Sequence, residues 1–153
     1  MIKSSDNNAT LLLYQFLGFD KTAETYKDLG LNPPQVDTDY QVSARQYATF
    51  FRILYNATYL SQSQSEKALS LLAEVDFKDG LVAGVPAGVV VAHKFGERHY
   101  DGDVAVEQLH DCGIIYKQKH PYILCVMTRG RSVTELASVI SQVSRTVYET
   151  IGD

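Results

Sequence analysis

A chain of 153 residues, 45% hydrophobic and 21% charged, is long enough to bury one core and too short for two comfortable ones, so one structural unit is expected. Its formal net charge of −4 and pI near 5.5, with both signs interspersed, leave no basic stripe to neutralise phosphates, and nucleic acid is not an expected partner. No apolar run approaches the roughly 20 residues that span a bilayer, and the N-terminus lacks the basic, apolar and small-residue order of an export signal.

Helical signals come first. Ala9 to Leu17 is apolar and stops at Gly18, and Asp20 is placed to cap a second stretch running to about Leu29 before Gly30. The two consecutive prolines of "LNPPQVDTDYQV" forbid helix and favour an extended course. Ser43 and Gln46 form a capping box for a helix with Tyr47, Phe50, Phe51, Leu54 and Tyr55 on one broad face. A fourth helix is expected over Ser65 to Val75, after which the chain loosens through "DGLVAGVPAG".

There the period changes. "VVVAHKFG", "DCGIIY" and "YILCVMTRG" are short β-branched runs broken by Gly, Pro and charged turns, which predicts three strands, the last two an antiparallel hairpin. A final helix opens with Ser132 and Glu135 and places Leu136, Val139, Ile140, Val143, Val147 and Ile151 on the face expected to lie on the sheet. Helices, an antiparallel sheet and a covering helix make an α+β arrangement, with residues 1–80 helical and 81–153 forming the sheet and its last helix.

Cys112 and Cys125 fall on the hairpin strands. With a four-residue loop at Lys117 to His120 they stand opposite one another, and a one-residue slip puts them on opposite faces. The spacing leaves the choice open; two reduced, partly buried thiols are the expectation, since free Cys commonly packs as a small hydrophobe. His93, His99, His110 and Cys112 match no zinc spacing, and Gly80, Gly84 and Gly88 form no phosphate cradle, so neither metal nor cofactor is expected.

Two triplets stand out. Ser5-Asp6-Asn7 precedes the first helix, and Lys94-Phe95-Gly96 lies on the first strand. Each has an ordinary reading, a helix cap for the first and a solvated strand-edge charge for the second. Their order is more informative. Ser-Asp-Asn, helices, a Gly/Pro-rich approach, a Lys-x-Gly strand, an Asp-x-Gly-Ile-Ile strand, a strand ending Thr-Arg-Gly and an amphipathic helix cover nearly the whole chain. In that order the sequence resembles the C-terminal portion of the penicillin-recognising serine hydrolases, the class A β-lactamase-like family, whose signatures are Ser-x-x-Lys, Ser-Asp-Asn and Lys-Thr-Gly.

The resemblance implies acyl-enzyme chemistry on a β-lactam or a peptidoglycan-like peptide, outside the cytoplasmic membrane. Ser5 takes the role of the hydroxyl that passes a proton to the leaving nitrogen, Asn7 that of a donor and acceptor for the substrate amide, and Asp6 a structural tie. Lys94 supplies charge near a substrate carboxylate, and the backbone N–H that follows Gly96, at Glu97, forms half of an oxyanion hole. Phe95 stands where the family offers a Thr hydroxyl, which transfers carboxylate recognition to Lys94 and to Arg129.

Two further departures matter. None of the eight lysines has a Ser three residues before it, so the nucleophile motif is absent and only four residues precede Ser5. The proline loop contains no Glu to activate a deacylating water; its carboxylates are Asp37 and Asp39, whose usual role there is turn hydrogen bonding. The chain therefore reads as a partial domain, inactive alone, that self-associates or meets a complementing N-terminal half to cover an open strand edge. The alternatives are a non-catalytic truncated relative serving as a binding module, and an unrelated α+β domain whose caps imitate the motifs.

Overall fold

Asp6 begins the first helix, α1 (Asn7–Leu17), because its carboxylate accepts the Ala9 N–H at 3.0 Å and so satisfies one of the donors that a helix start leaves open. The computed structural model describes residues 1–34, 41–100 and 106–152, and the statements below concern those residues. Gly18, at φ 80°, ends α1 and directly starts α2 (Phe19–Asp28). A single residue in that conformation turns the chain, so Asp20, expected as the cap, lies inside the first turn of α2, where its charge still favours the helix N-terminus.

The Ser43–Gln46 box opens α3 (Ala44–Tyr55) as the sequence predicts. α4 (Gln62–Ala73) begins three residues earlier than expected, because Ser61 and Gln64 make a second box with the same reciprocal bonds. Ser65, read as the first residue of that helix, is inside it and buried.

A short 3-10 turn at Val82–Gly84 leads into β1 (Val91–Tyr100), β2 (Val106–Ile115) and β3 (Tyr122–Gly130), an antiparallel sheet in the order β1-β2-β3. Ile115 pairs with Tyr122, the register expected for a loop at Lys117 to His120, although six residues, 116–121, lie between the last paired positions; every other register position follows from it. α5 (Val133–Thr150) starts at Ser132, whose hydroxyl accepts the Glu135 N–H.

The sheet is covered on both sides. Val91, Leu109 and Ile115 pack with Leu81, Leu136, Ala137 and Ile140 beneath α5, while Ala92, Cys112 and Ile114 pack with Phe51 and Leu72 of α3 and α4. The buried stripe of α5 is Leu136, Ala137, Ile140 and Ser144, whereas Val139 and Val143 are exposed. The expected face is thus rotated about the helix axis. The cause is Gly84, against which α5 packs so closely that a Cβ there would lie 2.4 Å from the Ser144 Cβ.

Cys112 and Cys125 are register partners with Cα atoms 4.0 Å apart and form a disulfide, which corrects the expectation of two free thiols. Lys94 completes their cross-strand row. α1 and α2 have no buried residue, and Leu12 and Phe16 of α1 are 65% and 86% exposed. The outer edges of β1 and β3 are unpaired among the described residues. None of their helices is long and apolar enough to cross a membrane.

Candidate functional site

The N-terminal arm is pinned before it reaches Ser5. Ile2 packs on the α3/α4 side of the sheet, the Lys3 carbonyl accepts the Asp76 N–H at 3.0 Å, and the Lys3 amine pairs with Glu74. Ser5 then takes φ 50°, a left-handed conformation that costs a non-glycine residue on the order of 1 kcal/mol and occurs where the surroundings over-determine it. Here the surroundings are the pinned arm on one side and the Asp6 cap on the other. The Ala9 N–H holds the Asp6 carboxyl below its ordinary range.

Across the sheet edge, the Lys94 amine donates to the Ser5 hydroxyl and, at 2.8 Å, to the Phe95 carbonyl, and it sits 4.3 Å from the centre of the Phe95 ring. All of these partners are uncharged. Burial pushes the amine below its ordinary pKa, and the charge of Asp111 acts in the opposite direction. Tyr47 of α3 donates its hydroxyl to the Lys94 carbonyl at 2.8 Å, tying the helical layer to this point of β1; burial, with Asp111 second, pushes that phenol up.

The Phe95 ring stacks on Phe77 at 4.6 Å and joins the core beneath α5. Asn7 and Asp6 are exposed at the start of α1. Gly96, Glu97 and Arg129 line a second feature, an open cavity of about 460 Å³ whose wall also includes Arg98, Gln108 and His110. Lys94 and Ser5 are not in that wall. The strand rows explain the separation, since Arg129 aligns with Gln108 and Arg98 while Lys94 aligns with Cys112 and Cys125. Burial lowers the pKa of His110, whose Nδ1 accepts the Thr128 N–H at 3.2 Å.

The structure therefore brings Ser5 and Lys94 together, and Gly96, Glu97 and Arg129 together, as two neighbouring groups. Asp37 and Asp39 lie outside the described residues. The histidines are dispersed: His99 pairs with Glu107 at 2.6 Å, and His93 bonds Asp111 Oδ1 through Nδ1 at 2.8 Å. Neither Tyr47 nor the His93–Asp111 pair was anticipated. A Tyr on an apolar helix face and a His within a strand carry no motif, and only strand alternation hinted that His93 points away from Lys94.

The sequence profile described as the β-lactamase enzyme family matches residues 1–151. No curated protein matches significantly. Among solved structures, the fold is similar to PBP-A, at 23% identity over 95% of this chain and 56% of that one, with a TM-score of 0.76. A mutant of PBP-A solved as an acyl-enzyme complex with penicillin G is 25% identical over the same shares, with a TM-score of 0.74. A β-lactamase from Chitinophaga pinensis DSM 2588 superposes at 0.80, with 19% identity over 97% of this chain and 61% of the other. The chain thus spans little more than half the length of the solved relatives it matches.

Proposed function

Because the chain belongs to the β-lactamase enzyme family, whose α+β fold it shares, we propose that it forms the Ser-Asp-Asn and Lys-x-Gly side of an acyl-transfer site for β-lactams or cell-wall peptide amides. In this reading residues 1–153 are one partial domain, acting outside the cytoplasmic membrane, and the attacking hydroxyl comes from residues beyond them. The observation that carries the proposal is the contact of the Lys94 amine with the Ser5 hydroxyl, two residues 89 apart in sequence.

The chemistry asks for that contact. When a nucleophilic hydroxyl attacks the carbonyl, a C–O bond forms, the C–N bond breaks, and the nucleophile's proton must reach the leaving nitrogen. Ser5 relays it, giving its own hydroxyl proton to the nitrogen as it accepts the one released, while Lys94 orients the Ser5 oxygen and favours the negative charge that builds there. Asn7 holds the substrate amide, and the Glu97 N–H after Gly96 serves the oxyanion. Phe95 offers no hydrogen bond, so an anionic substrate group is met by Lys94 and, from the neighbouring cavity, by Arg129. With no Glu in the proline loop, hydrolysis of the acyl-enzyme is slow.

A second reading, a non-catalytic binding module, is favoured by one observation, the absence of Ser three residues before any lysine. The exposed apolar residues of α1 and the open strand edges support a covering partner in either case. Intact-mass spectrometry after incubation with a penicillin separates the readings. The expected result is no adduct on the chain alone and an adduct on the complementing N-terminal half of a relative when the two are combined. An adduct on this chain alone overturns the placement of the nucleophile; no adduct on the complemented pair favours the binding module.

A further inference from the structure

Beneath Lys94, on the α5 side of the sheet, is a fully buried pair that the reaction scheme above does not use. His93 and Asp111 are each 0% exposed. Asp111 is held at both oxygens, by His93 Nδ1 at 2.8 Å and by the Leu81 N–H at 3.0 Å. The backbone is shaped around it. A Cβ at Gly80 would lie 2.4 Å from Asp111 Oδ2, and one at Gly113 would lie 2.5 Å from the His93 Cβ, so both glycines permit approaches that any side chain would block.

The charge state of the pair follows from its bonds. A carboxylate that accepts the Leu81 N–H and lies against Nδ1 requires the imidazole to donate there. His93 Nε2 is buried and has no hydrogen-bond partner among the described residues, so a second proton on it would leave an unpaired N–H in the core. A neutral imidazole beside an ionised Asp111 leaves one net negative charge buried directly under β1. On the other side of that strand is a half-buried ammonium whose bonds, among the described residues, go to neutral oxygens. Among the described residues neither charge has a direct counter-ion, and β1 lies between the two.

We infer that Asp111 is a positioning residue for Lys94: clamped by His93 and the Leu81 N–H, its carboxylate is the through-sheet counter-charge that keeps the Lys94 amine protonated against Ser5. Among the described residues the other titratable groups around Lys94 are poorly placed for this. Asp6, beside Ser5, is exposed and screened; Tyr47 is a neutral phenol at the Lys94 carbonyl; His110 gains no charge on burial; and Glu66 and Lys67 of α4 are exposed. The inference deepens the proposed function, in which Lys94 acts beside Ser5, but its test does not depend on turnover.

The test is the titration of Lys94 in the full chain labelled with ¹³C-lysine, followed at Cε and assigned with Lys94→Arg. Asp111→Asn keeps the shape and removes the charge. The expected result is a fall of roughly three- to tenfold in the Lys94 protonation constant, the size for two unit charges across one sheet at an effective dielectric of a few tens. An unchanged Lys94 midpoint in a folded Asp111→Asn chain overturns the inference. Should that variant not fold, Lys94→Met reads the same coupling from the other side, because reciprocity requires the Asp111 carboxyl pKa to rise by the same factor. An Asp111 ¹³Cγ titration identical to that of the unaltered chain is then the refuting outcome. Failure of the penicillin adduct leaves both titrations unaffected.

Discussion

Replacing Gly113 by Ala tests whether the strand that carries Lys94 is held by close backbone approach. Gly113 faces His93 on β1, and an added Cβ would lie 2.5 Å from the His93 Cβ, 2.6 Å from the Ala92 carbonyl oxygen and 2.8 Å from the His93 Cα. Ordinary contact begins about 1 Å further out, and two of the three neighbours are backbone that no rotamer change can move. β1 and β2 must part at the residue next to Lys94. Overpacking of this kind costs about 1–3 kcal/mol, offset by about 0.4–1 kcal/mol because Ala restricts the unfolded chain. Mid-range values leave a net loss of about 1.3 kcal/mol, which for a chain of this length lowers Tm by roughly 3–5 °C. Gly96→Ala is the internal control, since nothing lies within 4 Å of a Cβ there and its φ is not positive. Thermal unfolding followed by circular dichroism, with the Lys94 amide shift as a local probe, reads both variants. The reasoning fails if Gly113→Ala melts with the unaltered chain or if Gly96→Ala falls equally far.

Other outcomes follow from single contacts. Lys117→Met removes the bonds from a buried ammonium to the carbonyls of Tyr148 and Ile151 at the end of α5, and denaturant titration should register a loss of about 1.5–3 kcal/mol. Burial depresses the folded pKa of His110 below 6.5, so the unfolded chain takes up that proton first. Stability is fully present above pH 6.5 and declines as pH falls through the folded value; in His110→Gln that part of the profile flattens, and a curve unchanged by the substitution would contradict the assignment. Without reductant the intact mass should be two hydrogens short of the dithiol chain. Reduction, opening a bridge between residues 13 apart, should cost about 3 kcal/mol, and a thiol titration that finds two free groups would refute the pairing.

Local chemistry was the legible part. The Ser43–Gln46 box, the stop at Gly18 and the hairpin between Ile115 and Tyr122 are set by a few adjacent residues, and the structure reproduces each. The Ser61–Gln64 box carries the same signal and opens its helix three residues ahead of the expected start at Ser65, because the apolar run of that helix begins later than its cap. Where packing decides, the pattern misleads. Val139 and Val143 make as good an apolar stripe as any, yet α5 turns Ala137 and Ser144 inward, since small residues let it approach Gly84 and let Ser144 bond the Leu81 carbonyl. The cysteine pair was a matter of register, which spacing alone left two-valued. At the site, the triplets pointed to Ser5 and Lys94, but the His93–Asp111 clamp depends on strand pairing and has no linear signature.

The contact of Ser5 with Lys94 closes a span of 89 residues. Chain statistics put the entropy of closing such a loop at about 4 kcal/mol, more than one charged hydrogen bond returns. That bond alone could not keep the two residues together. The bond from Asp76 to the Lys3 carbonyl, the Lys3–Glu74 pair and the burial of Ile2 close most of the span beforehand, leaving only residues 3–5 and 76–94 to be brought round. The turn after α4 thereby governs what fraction of the time the Ser5 hydroxyl lies against the Lys94 amine.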